Sequence, residues 1–402
     1  MRLKVADVFA GCGGLSHGFS RSGLFDVVLG TDIDEVALET FAFNHSRSGV
    51  APVTVSGDIR KISPKDLRQR LEPLGLESQG ALDVLMGGPP CEGFSQNRRH
   101  EIVLPNGERV FTRNPLDSRD PRNELFRYFL SVVGEMRPKA VLIENVPQMV
   151  TSHGGGIIRE ISATLAKWGY TSSWRVLNAT HYGVPQARRR AFLVATSEGM
   201  PEFEWPDATH GDAPLKPVVT VRDAIGDLPV ATDNEIGRRT VSRYGAPSDF
   251  GRLMQSRSST PMNQVRRIPG ERVLERLRSM RPGMIAADMP EELKPKSQYY
   301  NAYGRLSWDK PAKTITKSCN YLGSGCFGHP VEDRGITMRE AARLQSFDDD
   351  FEFLTASQPH VAKMVGSAVP PLLAAALAES LAKSLLAEAS GRTEAEAREA
   401  AA

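Results

Sequence analysis

A series of short apolar runs, each closed by a glycine or a polar residue, constrains this chain more than any other feature. The first is Val5-Ala6-Asp7-Val8-Phe9-Ala10, and the second is Val27-Val28-Leu29-Gly30-Thr31. Val53-Thr54-Val55, Ala81-Leu82-Asp83-Val84-Leu85-Met86 and Ala140-Val141-Leu142-Ile143 continue the series. The run ending at Met86 is bounded by glycine and reads as a strand buried on both faces, as in a parallel sheet; Ala140–Ile143 reads the same way. Open sheets of that kind hold their ligands just beyond the carboxyl ends of the strands. The residues that follow each run are therefore the ones to examine.

After the first run comes Gly11-Cys12-Gly13-Gly14-Leu15-Ser16, a glycine-rich turn from strand to helix. It is neither the G-x-G-x-x-G phosphate turn nor a P-loop, so a nucleotide-type ligand without a pyrophosphate suits it better. The second run ends at Asp32-Ile33-Asp34, and an acid about 20 residues beyond the glycines suits a ribose diol. The third leads through Gly57 to Asp58 and Ile59. Each strand end alone is weak, but three in succession point to an adenosine-containing cofactor.

The fourth run opens into Gly87-Gly88-Pro89-Pro90-Cys91-Glu92-Gly93-Phe94-Ser95. Glycines allow close approach and prolines stiffen the exit, which sets Cys91 on a rigid turn at the sheet edge. The plainer reading is a small buried hydrophobe, as most free cysteines are. From Gln96 to Arg122 follows a polar segment with six arginines, the composition of a lid or binding loop. Asn123–Met136 reads as a helix with Leu125, Phe126, Phe129, Val132 and Val133 on one face, stopped by Arg137-Pro138. Ala140–Ile143 ends at Glu144-Asn145-Val146, so Glu144 stands where Cys91 stands on its own strand. A helix over 156–168 and a strand over 172–178 precede Gln186-Ala187-Arg188-Arg189-Arg190 and a strand from Ala191. In a strand, Arg188 and Arg190 share a face.

Length implies two domains, since 402 residues exceed one small core. With 40% hydrophobic and 24% charged residues the composition is that of a soluble globular protein. The four cysteines, Cys12, Cys91, Cys319 and Cys326, form no C-x-x-C pair, so neither a disulfide framework nor a zinc site is indicated. No signal-type segment opens the chain and no apolar run approaches membrane-spanning length, so a cytoplasmic protein is expected. From 200 to 301 prolines break up any long helix. Arg238 to Arg281 carries eleven arginines, no lysine and three acids. Such a run is either a solvated face or a nucleic-acid contact, and arginine suits phosphate and guanine alike.

The motifs together resemble those of the DNA (cytosine-5)-methyltransferase family, of the bacterial restriction-modification type. Asp7–Gly14 is similar to its first S-adenosylmethionine motif, Gly88–Ser95 to its catalytic-cysteine motif, and Glu144-Asn145-Val146 to its E-N-V. Gln186–Arg190 matches Q-x-R-x-R. Thr337–Phe347 matches the motif closing the recognition region, and Val365–Pro371 the last cofactor motif, where Ser367 stands for the usual asparagine. Thr337 and Glu340 also have capping-box spacing, which makes that motif mainly structural.

The resemblance implies an α/β, Rossmann-like methyltransferase sheet with a smaller, irregular recognition domain. It implies a catalytic and cofactor domain over 1–199, a target-recognition domain over 200–301, a return over 302–387 and a tail over 388–402. Its cofactor is S-adenosyl-L-methionine, expected at Phe9, Ala10, Gly11, Gly13, Gly14, Leu15, Asp32, Ile33, Asp58, Ile59, Pro90, Leu125, Ser367, Ala368 and Val369. Cys91 is the expected nucleophile and Glu144 the base-holding acid, with Arg188 and Arg190 near O2 and the thiolate and Asn145 in orientation. Double-stranded DNA is the expected partner, contacted at Ser95, Arg98, Arg99, Arg266 and Arg267. A cognate restriction endonuclease is a functional partner, and the protein is expected to be a monomer. The tRNA-methylating branch and a catalytically silent relative are the alternatives. The first usually carries Cys-Phe-Thr where this chain has Cys326-Phe327-Gly328, and the second would not need Cys91, Glu144 and both arginines.

Overall fold

A computed structural model describes residues 2–47, 49–90, 100–103, 109–112, 124–229, 231, 246–255, 262–295 and 302–400. Contacts divide the chain into two compact units. The first comprises Met1–Leu177, Arg189–Pro206 and Ala375–Ala402, and the second Asn178–Arg188 and Asp207–Ala374.

In the first unit, β1 (Leu3–Val8) leads to α1 (Gly14–Arg21), β2 (Phe25–Asp32) to α2 (Glu35–Ser46) and β3 (Val53–Ser56) to α3 (Pro64–Gln69). Next come β4 (Val84–Gly87), a hairpin of β5 (His100–Val103) and β6 (Arg109–Thr112), and α4 (Leu125–Met136). β7 (Ala140–Asn145), α5 (Gln148–Thr151), α6 (Gly156–Lys167), β8 (Tyr170–Asn178) and β9 (Arg189–Ser197) complete the sheet region. The main sheet has seven strands in the order β3-β2-β1-β4-β7-β9-β8. From β3 to β7 they run parallel, and β9 turns antiparallel against β7.

Each apolar run of the sequence contributes a strand, although β4 begins at Val84 and not at the expected Ala81, and the central ones are closed to water. Val5, Val8, Leu85 and Leu142 have no exposed surface. The order reverses between β1 and β4, and such a switch point opens a crevice at the carboxyl ends. On α4, Phe129 is also fully enclosed, and a side chain of that kind contributes about 1.5–3 kcal/mol when buried. The first strand stops at Val8, short of the expected Ala10, because Phe9 adopts φ 70°. That conformation is unusual for a bulky residue and breaks the extended chain.

The second unit holds short helices, as its prolines require: α7 (Val221–Ile225), α8 (Asp249–Met254), α9 (Glu271–Arg278), α10 (Met338–Leu344) and α11 (Gln358–Ser367). α12 (Pro371–Ala400) begins in this unit and continues in the first. It runs past the expected end near Ala387, through alanine- and glutamate-rich sequence that favours helix. The units divide the chain at points other than the expected domain boundaries. Residues 302–374, read as a return to the first domain, group by contact with 207–295.

The capping box forms as its spacing predicts. Glu340 N–H donates to Thr337 Oγ1 at 3.1 Å, and Thr337 N–H to the Glu340 carboxylate at 2.8 Å. Arg334 pairs with Glu340 at 2.8 Å, and Arg339 donates to the carbonyls of Met262, Asp348 and Phe351. Both residues of the Arg339-Glu340 pair thus serve the fold. One sequence expectation needs correcting: within 358–387, across α11 and the start of α12, an 18-residue window is apolar enough by length and composition to cross a membrane. That window is 72% buried inside the protein, which is how a core helix behaves.

Candidate active site

At the switch point the turn after β1 is held by Asp32. Gly11 N–H donates to Asp32 Oδ2 at 2.8 Å, and Asp34 N–H to Oδ1 at 2.8 Å. One carboxylate therefore braces the glycine turn and the start of α2. Gly13 has φ 91°, and a Cβ there would lie 2.6 Å from His45 Nε2, so only glycine fits. Beside Asp32, Ile33 is 71% exposed, an apolar surface that the protein leaves uncovered. A Cβ at Gly11 would meet nothing within 4 Å. A carboxylate, an open apolar side chain and free space along the turn fit the adenosine part of S-adenosyl-L-methionine.

Not every expected cofactor residue offers its side chain. Ile59 and Leu125 are core residues at 6% and 9% exposure, which leaves only their backbone for a ligand. Asp58 caps the short helix at Ile59 and is bonded by Arg60, whose guanidinium lowers the carboxyl below its ordinary range. Pro90 is exposed and Leu15 buried.

The end of β4 shows why two glycines precede the prolines. A Cβ on Gly87 would lie 2.1 Å from the Val8 carbonyl oxygen, and one on Gly88 would lie 3.0 Å from Glu144 Oε2. The sequence suggested room for a ligand; the structure uses the space for β1 and for the Glu144 carboxylate. Asn145, 5% exposed, donates from Nδ2 to the Pro89 carbonyl at 3.0 Å and so ties the end of β7 to the turn after β4. Cys91, Ser95, Arg98 and Arg99 lie outside the described residues.

Antiparallel β9 brings its first residues to the edge where the parallel strands end. Arg190 Nε stands 3.0 Å from Glu144 Oε1, with both side chains largely shielded. Arg188 lies before β9 begins and is not on that strand face. It is 1% exposed, and its Nη1 and Nη2 donate to the carbonyls of Ile315 and Gly366, both at 3.0 Å. These bonds hold segments distant in sequence together, a positioning task within the second unit.

Also in the second unit, a Cβ on Gly366 would lie 2.2 Å from the Thr316 carbonyl carbon. That contact fixes the approach to Ser367, whose hydroxyl donates to Lys363 O at 2.7 Å and keeps its acceptor capacity. Ala368 and Val369 are buried. Among the described arginines of the basic segment, Arg252 bonds Asp249, Arg272 bonds Glu275 and Arg278 bonds Glu271. Arg267 is exposed, whereas Arg266 is half-buried and engaged within the chain.

Sequence reasoning passed over Asp7 and Ser16. Asp7 is 1% exposed on β1, and Ser16 of α1 donates its hydroxyl to it. Burial, with Asp32 and Glu144 nearby, raises the Asp7 carboxyl to about 7. The signal was present in Val5-Ala6-Asp7-Val8, because a charge inside a doubly buried strand must be paired or neutralised.

Sheet order, switch-point turn and strand-end acids define a Rossmann-like methyltransferase. The chain belongs to the C-5 cytosine-specific DNA methylase family, whose profile matches residues 3–383, and it is a DNA (cytosine-5)-methyltransferase. It is 30% identical to the type II methyltransferase M.AgeI of Thalassovita gelatinovora, over 94% of this chain and 99% of that protein. It is 31% identical to the type II methyltransferase M1.HphI of Haemophilus parahaemolyticus, over 95% and 87%. Among solved structures, a prophage-encoded DNA modification methyltransferase of E. coli aligns with TM-score 0.71 and 25% identity, over 95% of this chain and 99% of that one.

Proposed function

We propose that the protein methylates C5 of a flipped-out cytosine within a specific double-stranded DNA sequence, through a covalent bond between Cys91 and C6. When bound, S-adenosyl-L-methionine supplies an electrophilic methyl group. Phe9–Leu15, Asp32 and Ile33 would hold its adenosine part. C5 of cytosine is a poor nucleophile. Addition of the Cys91 thiolate at C6 makes it an enamine carbon, C5 takes the methyl group, and loss of the C5 proton to a base expels the thiolate. Glu144 would hydrogen-bond N3 and the exocyclic amine, offsetting charge that develops during addition. Arg190 keeps that carboxyl oriented. None of these ring atoms is reachable in a stacked duplex, so the base must leave it.

The observation that carries this reading is the Arg190–Glu144 pair at 3.0 Å, on the sheet edge where β4 ends at Gly87. The names of the type II relatives support a cognate restriction endonuclease as functional partner and the bacterial cytoplasm as the site of action. Cys91→Ser should abolish methyl transfer and the covalent trap with 5-fluorocytosine DNA while still binding the cofactor. A Cys91→Ser protein that methylates at a comparable rate would overturn the assignment.

A further inference from the structure

We propose that Asp7 reads the charge of the bound cofactor: ionised, it favours the sulfonium donor over the neutral thioether product. The inference rests on the cofactor reading above. Asp7 stands on the central strand of the switch point, between β2, which ends in Asp32, and β4, with β7 and its Glu144 one strand further on. Its carboxyl is almost wholly enclosed, its bonded partner is the Ser16 hydroxyl, and no cation pairs with it among the described residues. A buried carboxylate in that position is costly unless a positive charge arrives.

Among the described residues, the groups around it supply no such charge. Asp32 and Glu144 both disfavour its ionisation, and Arg190 is bonded to Glu144. β4 places Met86 opposite it. α1 contributes Ser16, with His17 next in sequence, its ring centroid 6.4 Å from that of His45. On α2, His45 lies against Gly13, 2% exposed, and burial lowers it to about 3, so it is neutral. Cys12 of the turn is raised to about 12 and stays a thiol. Asp7 is thus poised to bind a proton in the free protein and to release it when a cation is bound nearby. The donor and the spent cofactor differ by one positive charge at sulfur, and that charge is what such a group can distinguish.

The test is calorimetric binding of S-adenosyl-L-methionine and S-adenosyl-L-homocysteine to the full chain at a series of pH values. The affinity ratio should rise in favour of the sulfonium compound by about three- to tenfold between roughly pH 6 and pH 8. Protons should be released on its binding and not on that of the thioether. Asp7→Asn should flatten the ratio. Ser16→Ala, which removes a bond favouring the ionised form, should move the midpoint upward. Binding of both compounds with a ratio independent of pH in the wild-type protein would overturn the inference alone. Failure of either compound to bind at any pH would overturn the cofactor reading with it.

Discussion

In the second unit Arg343 lies between Asp227 and Asp349, at 2.8 Å and 2.6 Å, all three side chains at or below 2% exposure. In the first unit Asp7 is as deeply buried and has a hydroxyl for company. The same expensive act, taking a carboxyl out of water, is answered in one place by a cation and in the other by a hydroxyl, with the carboxyl raised to about 7. Saturated networks hold a shape. A group left one charge short has an affinity still to be satisfied, and it stands where a cationic ligand is expected.

The largest test of this contrast is Arg343→Leu, which would leave two buried carboxylates without their cation. It should cost about 3–5 kcal/mol in urea unfolding, and a near-neutral result would mean that the pair is already compensated elsewhere. Next is acid stability. Arg334 beside Glu340 holds that carboxyl down at about 2, below its ordinary 4.5. The stabilisation is present above pH 4.5 and is lost as pH falls through about 2, worth roughly 3 kcal/mol. Thermal melts across that window should show the loss in the wild type and not in Glu340→Gln. Asp7 should behave with the opposite sign. Its carboxyl is raised to about 7 from 3.8, so ionisation costs the ligand-free protein stability progressively between those values. Asp7→Asn should gain about 1–3 kcal/mol near pH 8 and almost nothing near pH 4. A mutant less stable at both would point to a structural bond with Ser16.

Much of the fold could be read from local pattern. The parallel strands, the helix expected over 123–136 and found over 125–136, and the Thr337–Glu340 cap depend on residues within a few positions of one another, and hydrophobic period and capping chemistry report such relations directly. The site was less legible. Arg188 acts on Gly366, 178 positions away, and Arg190 reaches Glu144 only because β9 reverses direction. Two arginines separated by one residue looked equivalent in sequence, yet the strand boundary between them sends one to main-chain carbonyls and the other to the acid. In the basic segment α9 supplies glutamates for its own Arg272 and Arg278, a relation that a count of charges does not show.

The division of the chain also sets a timetable for its synthesis. The first unit needs residues 375 onward, where Leu377, Leu381 and Leu385 of α12 are buried, although its sheet is otherwise complete once 189–206 has emerged. The intervening stretch 207–374 takes on the order of ten seconds or more to translate at about 5–20 residues per second. Throughout that interval the first unit lacks its last segment, so it cannot be completed before the whole of the second unit has been made.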